Sequence, residues 1–213
     1  MLLYLHGFAS GPSSTKARAV GERFAELGIA VACPDLTPGH GGFERSTPSS
    51  MLAIAEELLR GPGPHAIIGS SLGGWLGAIA ASRNPSVKRL VLLAPAFGLH
   101  ARWSARLGPK GLARWKADGS AEVFHFASNA PRRIGWAFFE DAARLPAFPE
   151  VRVPALAIAG RRDETVALPD VEAWVARTPG ARLVVVDDVH ALTASLDAIL
   201  RETREFLRPV TGA

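Results

Sequence analysis

Ser71, Asp163 and His190 are the side chains whose types and order could carry out acyl transfer. A serine hydroxyl is a poor nucleophile near neutral pH; it needs a base, and the base needs an acid to orient it. Ser71 occupies the centre of Gly69-Ser70-Ser71-Leu72-Gly73, a G-x-S-x-G pattern. An apolar run, Ala66-Ile67-Ile68, precedes it, and a small-residue stretch from Leu72 to Ala81 follows. Strand, sharp turn and helix are the context that makes such a pattern a nucleophile elbow. Gly69 and Gly73 flank the turn because its central residue is strained and neighbouring side chains would collide there. The hydroxyl then projects at a helix N-terminus, where developing negative charge is favoured. With 21 glycines in 213 residues the pattern alone is weak, so its company has to carry the reading.

That company sits just past two later apolar runs. Asp163 lies in Gly160-Arg161-Arg162-Asp163 and His190 in Asp187-Asp188-Val189-His190. The order Ser, Asp, His is that of the α/β-hydrolases. Asp163 is the favoured orienting acid, with Asp187, Asp188 and Asp141 as alternatives; Asp187 and Asp188 are close to His190 in sequence for reaching its Nδ1. An oxyanion hole needs two backbone N–H groups. His6-Gly7-Phe8 ends the first apolar run, and Gly7 permits a sharp turn there. Phe8 and Leu72 are the expected donors. His6 reads as a structural residue holding its loop, and Asp35 as a turn-former. His40 reads as a surface-loop residue or a pocket liner. Ser10, Ser13 and Ser14 read as helix-capping residues or substrate contacts, and Cys33 as a small hydrophobe.

Six apolar runs are predicted as strands: Leu2–Leu5, Ile29–Cys33, Ala66–Ile68, Leu90–Leu93, Ala155–Ala159 and Leu183–Val186. Most are uninterrupted, as expected for strands buried on both faces of a parallel sheet. Helical spacing alternates with them: Ala17, Val20, Phe24 and Leu27; Met51, Ile54, Ala55, Leu58 and Leu59; and Leu192, Leu196, Ile199, Leu200, Phe206 and Leu207. The alternation predicts an open α/β sheet with right-handed crossovers. From Phe97 to Phe148 there is no clear strand, yet nine of the chain's 16 aromatics fall there. This interval is expected to be an insertion of short helices covering the ligand-binding edge of the sheet.

The length suits a single domain, 1–213, with the insertion at about 97–148. No apolar run approaches the roughly 20 residues needed to span a bilayer. A strand starting at about Leu2 leaves no room for a removable leader, so a cytoplasmic location is expected. One cysteine allows no intrachain disulfide and makes a cysteine-based metal site improbable. The charge of +4 and the pI near 9.8 superficially invite a nucleic-acid reading. Between residues 97 and 135, however, seven basic side chains face two acids, so that segment is +5 and the rest of the chain −1. The excess is local: a solvated face, or a lure for anionic substrates such as phosphate-bearing thioesters. No nucleic-acid partner is expected.

The opening His6-Gly7-Phe8-Ala9-Ser10-Gly11-Pro12-Ser13-Ser14-Thr15-Lys16-Ala17, together with Gly69-Ser70-Ser71-Leu72-Gly73-Gly74, resembles the YqiA-type esterases, small bacterial members of the α/β-hydrolase superfamily. Similarity is most specific over residues 2–95 and still motif-bearing over 155–207. The resemblance implies a serine esterase or thioesterase with Ser71, Asp163 and His190 as triad and Phe8 and Leu72 as oxyanion donors. The substrate would be a small ester or thioester, with no metal or cofactor. It implies a reduced α/β-hydrolase fold: the chain starts at what would be the third strand, leaving an all-parallel core of about six strands flanked by helices, with a helical lid. The insertion is longer than in the small esterases, which leaves the substrate class open. A C–C bond hydrolase or lyase on the same triad, or a non-catalytic binding protein on the same fold, are the alternatives.

Overall fold

The computed structural model describes residues 1–39 and 41–212; His40 lies outside the described residues. Strand β1 (Leu2–Leu5) leads into helix α1 (Thr15–Ala25) and a two-residue strand β2 (Val31–Ala32). Helices α2 (Gly42–Arg45) and α3 (Pro48–Leu58) follow, then β3 (His65–Ser70), α4 (Leu72–Arg83) and β4 (Val87–Leu93). After the insertion come β7 (Ala155–Gly160), α7 (Leu168–Arg177), β8 (Ala181–Val186) and α8 (Leu196–Thr211). The six strands form one parallel sheet in the order β2-β1-β3-β4-β7-β8.

Side chains alternate across the strands, and each face feeds its own core. Leu3, Leu5, Ile67, Leu90 and Leu92 point to the face that holds Trp75 and Ile79 of α4, Met51 and Leu52 of α3 and Trp174 of α7. Leu2, Tyr4, Ile68, Val91 and Leu93 point to the other, with Phe24 of α1 and Ile199 and Leu207 of α8. Helix α4 is buried from Leu72 to Ala81, which explains its apolar and small residues on every side. No helix among the described residues is long and apolar enough to cross a membrane.

The insertion departs from the all-helical expectation. Helix α5 (Leu99–Asp118) is two pieces broken at Gly108, before Pro109, whose ring removes an N–H and disfavours a helical residue ahead of it. An antiparallel hairpin then follows, β5 (Ser120–His125) paired with β6 (Ala130–Gly135), and α6 (Trp136–Ala142) closes the segment. Its strands are lost in the sequence because polar and apolar residues alternate only weakly and Pro131 interrupts β6. Such a ribbon has one packed face: Ile134 is buried while Phe124 and Phe126 are exposed. Boundaries also move. The second strand shrinks to Val31–Ala32, and Leu192, read as the first inward position of the last helix, lies in the loop before it at φ 57° while staying buried.

Candidate active site

The chain leaves β1 toward β2 and leaves β3 toward β4, so the strand order reverses between β1 and β3. The carboxyl ends of those two neighbours frame a crevice, the usual ligand position in an open α/β sheet. The loop at Phe8 lies on one side of it and Ser71 on the other.

Ser71 sits between β3 and α4 at φ 53° and ψ −116°, a conformation costly for any residue with a side chain. Two contacts hold it there: its N–H donates to Leu93 O at 2.9 Å, and its carbonyl accepts from Ala96 N at 3.0 Å. The flanking glycines are required sterically. A methyl on Gly69 would fall on the backbone of Gly73 and Gly74, and one on Gly73 on the carbonyl oxygens of Leu5 and His6. Gly73→Ala is therefore expected to destabilise the fold by about 3 kcal/mol. Gly21→Ala is the control, since Gly21 lies inside α1 with open space around it and should gain about 0.5–1 kcal/mol. Urea unfolding of both variants checks this; equal stability of Gly73→Ala and the parent would contradict the packing described.

His190 meets Ser71 in a loop after β8. Its Nε2 lies 2.9 Å from Ser71 Oγ, and its Nδ1 lies 2.8 Å from Asp163 Oδ2. The other carboxylate oxygen of Asp163 accepts the N–H groups of Thr165 at 2.8 Å and Val166 at 2.9 Å, which turns Oδ2 toward the ring. Burial alone would raise the Asp163 carboxyl, but the hydrogen bond from His190 and those two N–H groups outweigh it and hold it below its usual value. The other acids are engaged elsewhere. Asp187 pairs with Arg162 at 2.9 Å, and Asp141 accepts from Ser49 N at 2.6 Å and Ser49 Oγ at 2.9 Å.

Asp188 has a role that sequence reasoning missed. It is 3% exposed and accepts Val189 N at 2.7 Å and Ser195 N at 2.8 Å, closing the loop that carries His190. From α1, the Lys16 ammonium donates to Ala191 O at 2.6 Å in the same loop. Burial would raise the Asp188 carboxyl, yet the Val189 and Ser195 donors hold it below its ordinary range. A depressed carboxyl stabilises the fold above its unfolded value, near pH 4, and that contribution is lost as pH falls through the folded value. Asp188→Asn should thus cost about 1–3 kcal/mol at pH 7, with a smaller gap from the parent at pH 3. Thermal melts at the two pH values test this; a gap independent of pH would contradict it.

The Phe8 loop faces Ser71. A methyl on Gly7 would lie 3.3 Å from Ser71 Cβ, so the two segments are in close contact. Phe8 N–H has no hydrogen-bond acceptor among the described residues, and Leu72, as the first residue of α4, has no intrahelical acceptor for its own. The Phe8 ring packs at centroid distances of 5.2–5.4 Å against Phe43, Trp103 and Phe138. Two of those rings come from the insertion, so the lid's aromatics fix the backbone of the β1 loop. The hairpin adds a direct tie, Ala127 N to Ala9 O at 3.3 Å. His6 is a brace: its Nε2 accepts Leu36 N–H at 3.2 Å, which leaves Nδ1 to donate to Gly7 O at 3.0 Å. Burial lowers its pKa, favouring the neutral ring this pairing needs. Asp35 accepts Thr37 N–H at 2.8 Å in the turn after β2. Cys33 is partly buried against the α1/α8 core, and burial raises its thiol to about 11.

Above Ser71 opens a cleft of about 1250 Å³. Its floor is Phe8, Ser71, Leu72 and His190, and its walls come from α5 and the hairpin, including Trp103, Trp115 and Phe124. The aromatic insertion thus serves two ends: Trp115, Phe138 and Phe139 are buried core, while Phe124 and Phe126 stand exposed at the hairpin.

The family model described as an uncharacterised protein family, UPF0227, matches residues 1–197. Among curated protein sequences, none matches this chain. Solved structures do. Alpha/beta hydrolase domain-containing protein 10 from mouse superposes with a TM-score of 0.83 at 22% identity, over 98% of this chain and 89% of that one. Est1E from Butyrivibrio proteoclasticus, solved with ferulic acid bound, gives 0.81 at 21% identity, over 100% and 89%. The esterase Pf2001 of Pyrococcus furiosus gives 0.70 at 19% identity, over 99% and 82%. At these identities the likeness establishes a shared α/β-hydrolase fold.

Proposed function

This chain belongs to the UPF0227 family and has the α/β-hydrolase fold, and from that premise we propose that it is a serine hydrolase cleaving carboxylic esters or thioesters through a covalent acyl-enzyme. The observation that carries the reading is the continuous row from Asp163 through His190 to Ser71, with links of 2.8 and 2.9 Å.

Asp163 holds the proton on His190 Nδ1, which leaves Nε2 free to accept the Ser71 hydroxyl proton. Ser71 Oγ attacks the acyl carbon, and the carbonyl oxygen becomes an oxyanion. Phe8 and Leu72 N–H groups donate to it, each contributing about 3–4 kcal/mol at the transition state. The tetrahedral intermediate collapses as His190 passes its proton to the departing alcohol or thiol. A water molecule then gives a proton to His190 and attacks the acyl-enzyme through the same oxyanion, releasing the acid and restoring Ser71. No metal or cofactor enters these steps.

Rapid mixing with p-nitrophenyl butyrate tests the two-step scheme. A burst of nitrophenolate, stoichiometric with enzyme and followed by slower turnover, is the expected result where deacylation limits the rate. Hydrolysis of no ester or thioester across acyl lengths from acetyl to octanoyl would overturn the reading.

A further inference from the structure

Four arginines line the cleft: Arg102, Arg106, Arg114 and Arg133. Two have carboxylate partners, Arg114 with Asp118 and Arg133 with Glu44, both at 3.6 Å. Arg102 and Arg106 have none within 4 Å among the described residues. They stand one turn apart on α5, a spacing at which like charges repel. Arg106 lies over the ring of Trp103, 5.8 Å from its centroid. Arg102 is the more confined. Its Nη1 is sealed from solvent without an acceptor, while the side chain still lines the cleft.

The position of Arg102 links it to the reaction centre. Its helix begins just after Ala96, whose N–H donates to Ser71 O. Burial depresses the guanidinium's basicity, and the charges of Asp170 and Asp163 act against that from beyond ion-pair distance. The oxygens of Asp163 accept from His190 and two backbone N–H groups, and neither is hydrogen-bonded to Arg102. A partly desolvated guanidinium without a partner is unfavourable unless an anion arrives to accept the N–H groups of Nε and Nη2, the nitrogens that are not sealed.

We propose that Arg102, supported by Arg106, is a binding site for an anionic group of the substrate, a carboxylate or phosphate carried a few bonds from the scissile carbonyl. A planar guanidinium fork suits bidentate recognition of either anion. This rests on the serine-hydrolase reading for its catalytic meaning. As a binding site it stands independently.

The test compares four esters: mono-p-nitrophenyl glutarate, with the anion on the acyl side, and its neutral methyl ester; and 4-carboxyphenyl butyrate, with the anion on the leaving group, and its neutral methyl ester. The parent enzyme should favour one anionic ester over its uncharged counterpart, and which one identifies the side on which the anion sits. In Arg102→Gln the ratio of kcat/KM for that ester to its neutral counterpart should fall about 10- to 100-fold. Arg106→Gln should lower it less, and Arg102→Lys should restore part of it. A parent ratio near one, or a ratio unmoved by both glutamine variants, overturns the proposal. Melting curves confirm that each variant is folded; should Arg102→Gln not fold, Arg106→Gln and Arg102→Lys still decide it. If no ester is hydrolysed the serine-hydrolase reading fails instead. Calorimetry of Ser71→Ala with monophenyl glutarate against phenyl butyrate then scores the anion site alone. Tighter binding of the glutarate supports the site and equal binding overturns it.

Discussion

Ser71→Ala is expected to lower kcat/KM toward p-nitrophenyl esters by at least about 10⁴-fold, with the fold intact. In the proposed mechanism the side chain lost is the attacking group itself, and no other hydroxyl within the described residues is hydrogen-bonded to His190. Stability should not suffer, because Ser71 Oγ bonds only the His190 ring while the strained backbone contributes nothing favourable. A companion variant makes the strain visible. Ser71→Gly places at φ 53° the one residue that adopts it freely, and should raise stability by about 1 kcal/mol while also abolishing turnover. Such a trade of stability for activity marks a backbone held in place for chemistry. Hydrolysis that persists within tenfold of the parent in Ser71→Ala would remove Ser71 from the mechanism.

Asp163→Asn should be nearly as damaging, for a different reason. The asparagine oxygen can still accept the N–H groups of Thr165 and Val166, so the loop after β7 is preserved. Its amide nitrogen, however, then faces His190 Nδ1 and donates to it. The ring is driven to the tautomer with hydrogen on Nε2, which cannot take the Ser71 proton. A fall of about 10³- to 10⁴-fold in kcat/KM is expected with the fold retained, and the melting temperature at pH 7 should drop, because the depressed Asp163 carboxyl contributes stability there. Asp187→Asn is the control: its carboxylate is exposed and paired with Arg162, so activity should stay within twofold or so. A loss under tenfold in Asp163→Asn would mean that another acid orients the ring.

The legible part of the site was its local geometry. Gly69 and Gly73 announce a turn too tight for side chains, and the closeness of Gly73 to the Leu5 and His6 carbonyls is why. The uninterrupted apolar runs announced buried parallel strands, whose ends placed Ser71, Asp163 and His190 on one edge of the sheet. Spacing favours Asp163 over Asp187 and Asp188 but does not show which carboxylate has a free oxygen facing the ring, a property of loop hydrogen bonds. Asp188 illustrates the same limit: two residues from His190 it reads as a rival partner, whereas its oxygens are taken by Val189 and Ser195.

The insertion was the least legible region. Its aromatics pointed to a cover over the active edge, but Phe124, Phe126 and Trp136 carry no strand or helix period strong enough to reveal a hairpin. The ring contacts holding Phe8 are long-range, from Trp103 and Phe138, and depend on how the cover folds back. Arg102 was visible only as one charge in a local excess. Its isolation becomes apparent once Arg114 and Arg133 are seen to have found Asp118 and Glu44.

Fluorophosphonate labelling followed by intact mass and peptide mapping tests the nucleophile most directly. Only a serine activated by its neighbours reacts, and the adduct reports the position without any knowledge of the substrate. One adduct per chain on the peptide containing Ser71, absent in Ser71→Ala and strongly slowed in Asp163→Asn, is the predicted result. An unlabelled parent protein, or an adduct that persists in Ser71→Ala, would contradict the account.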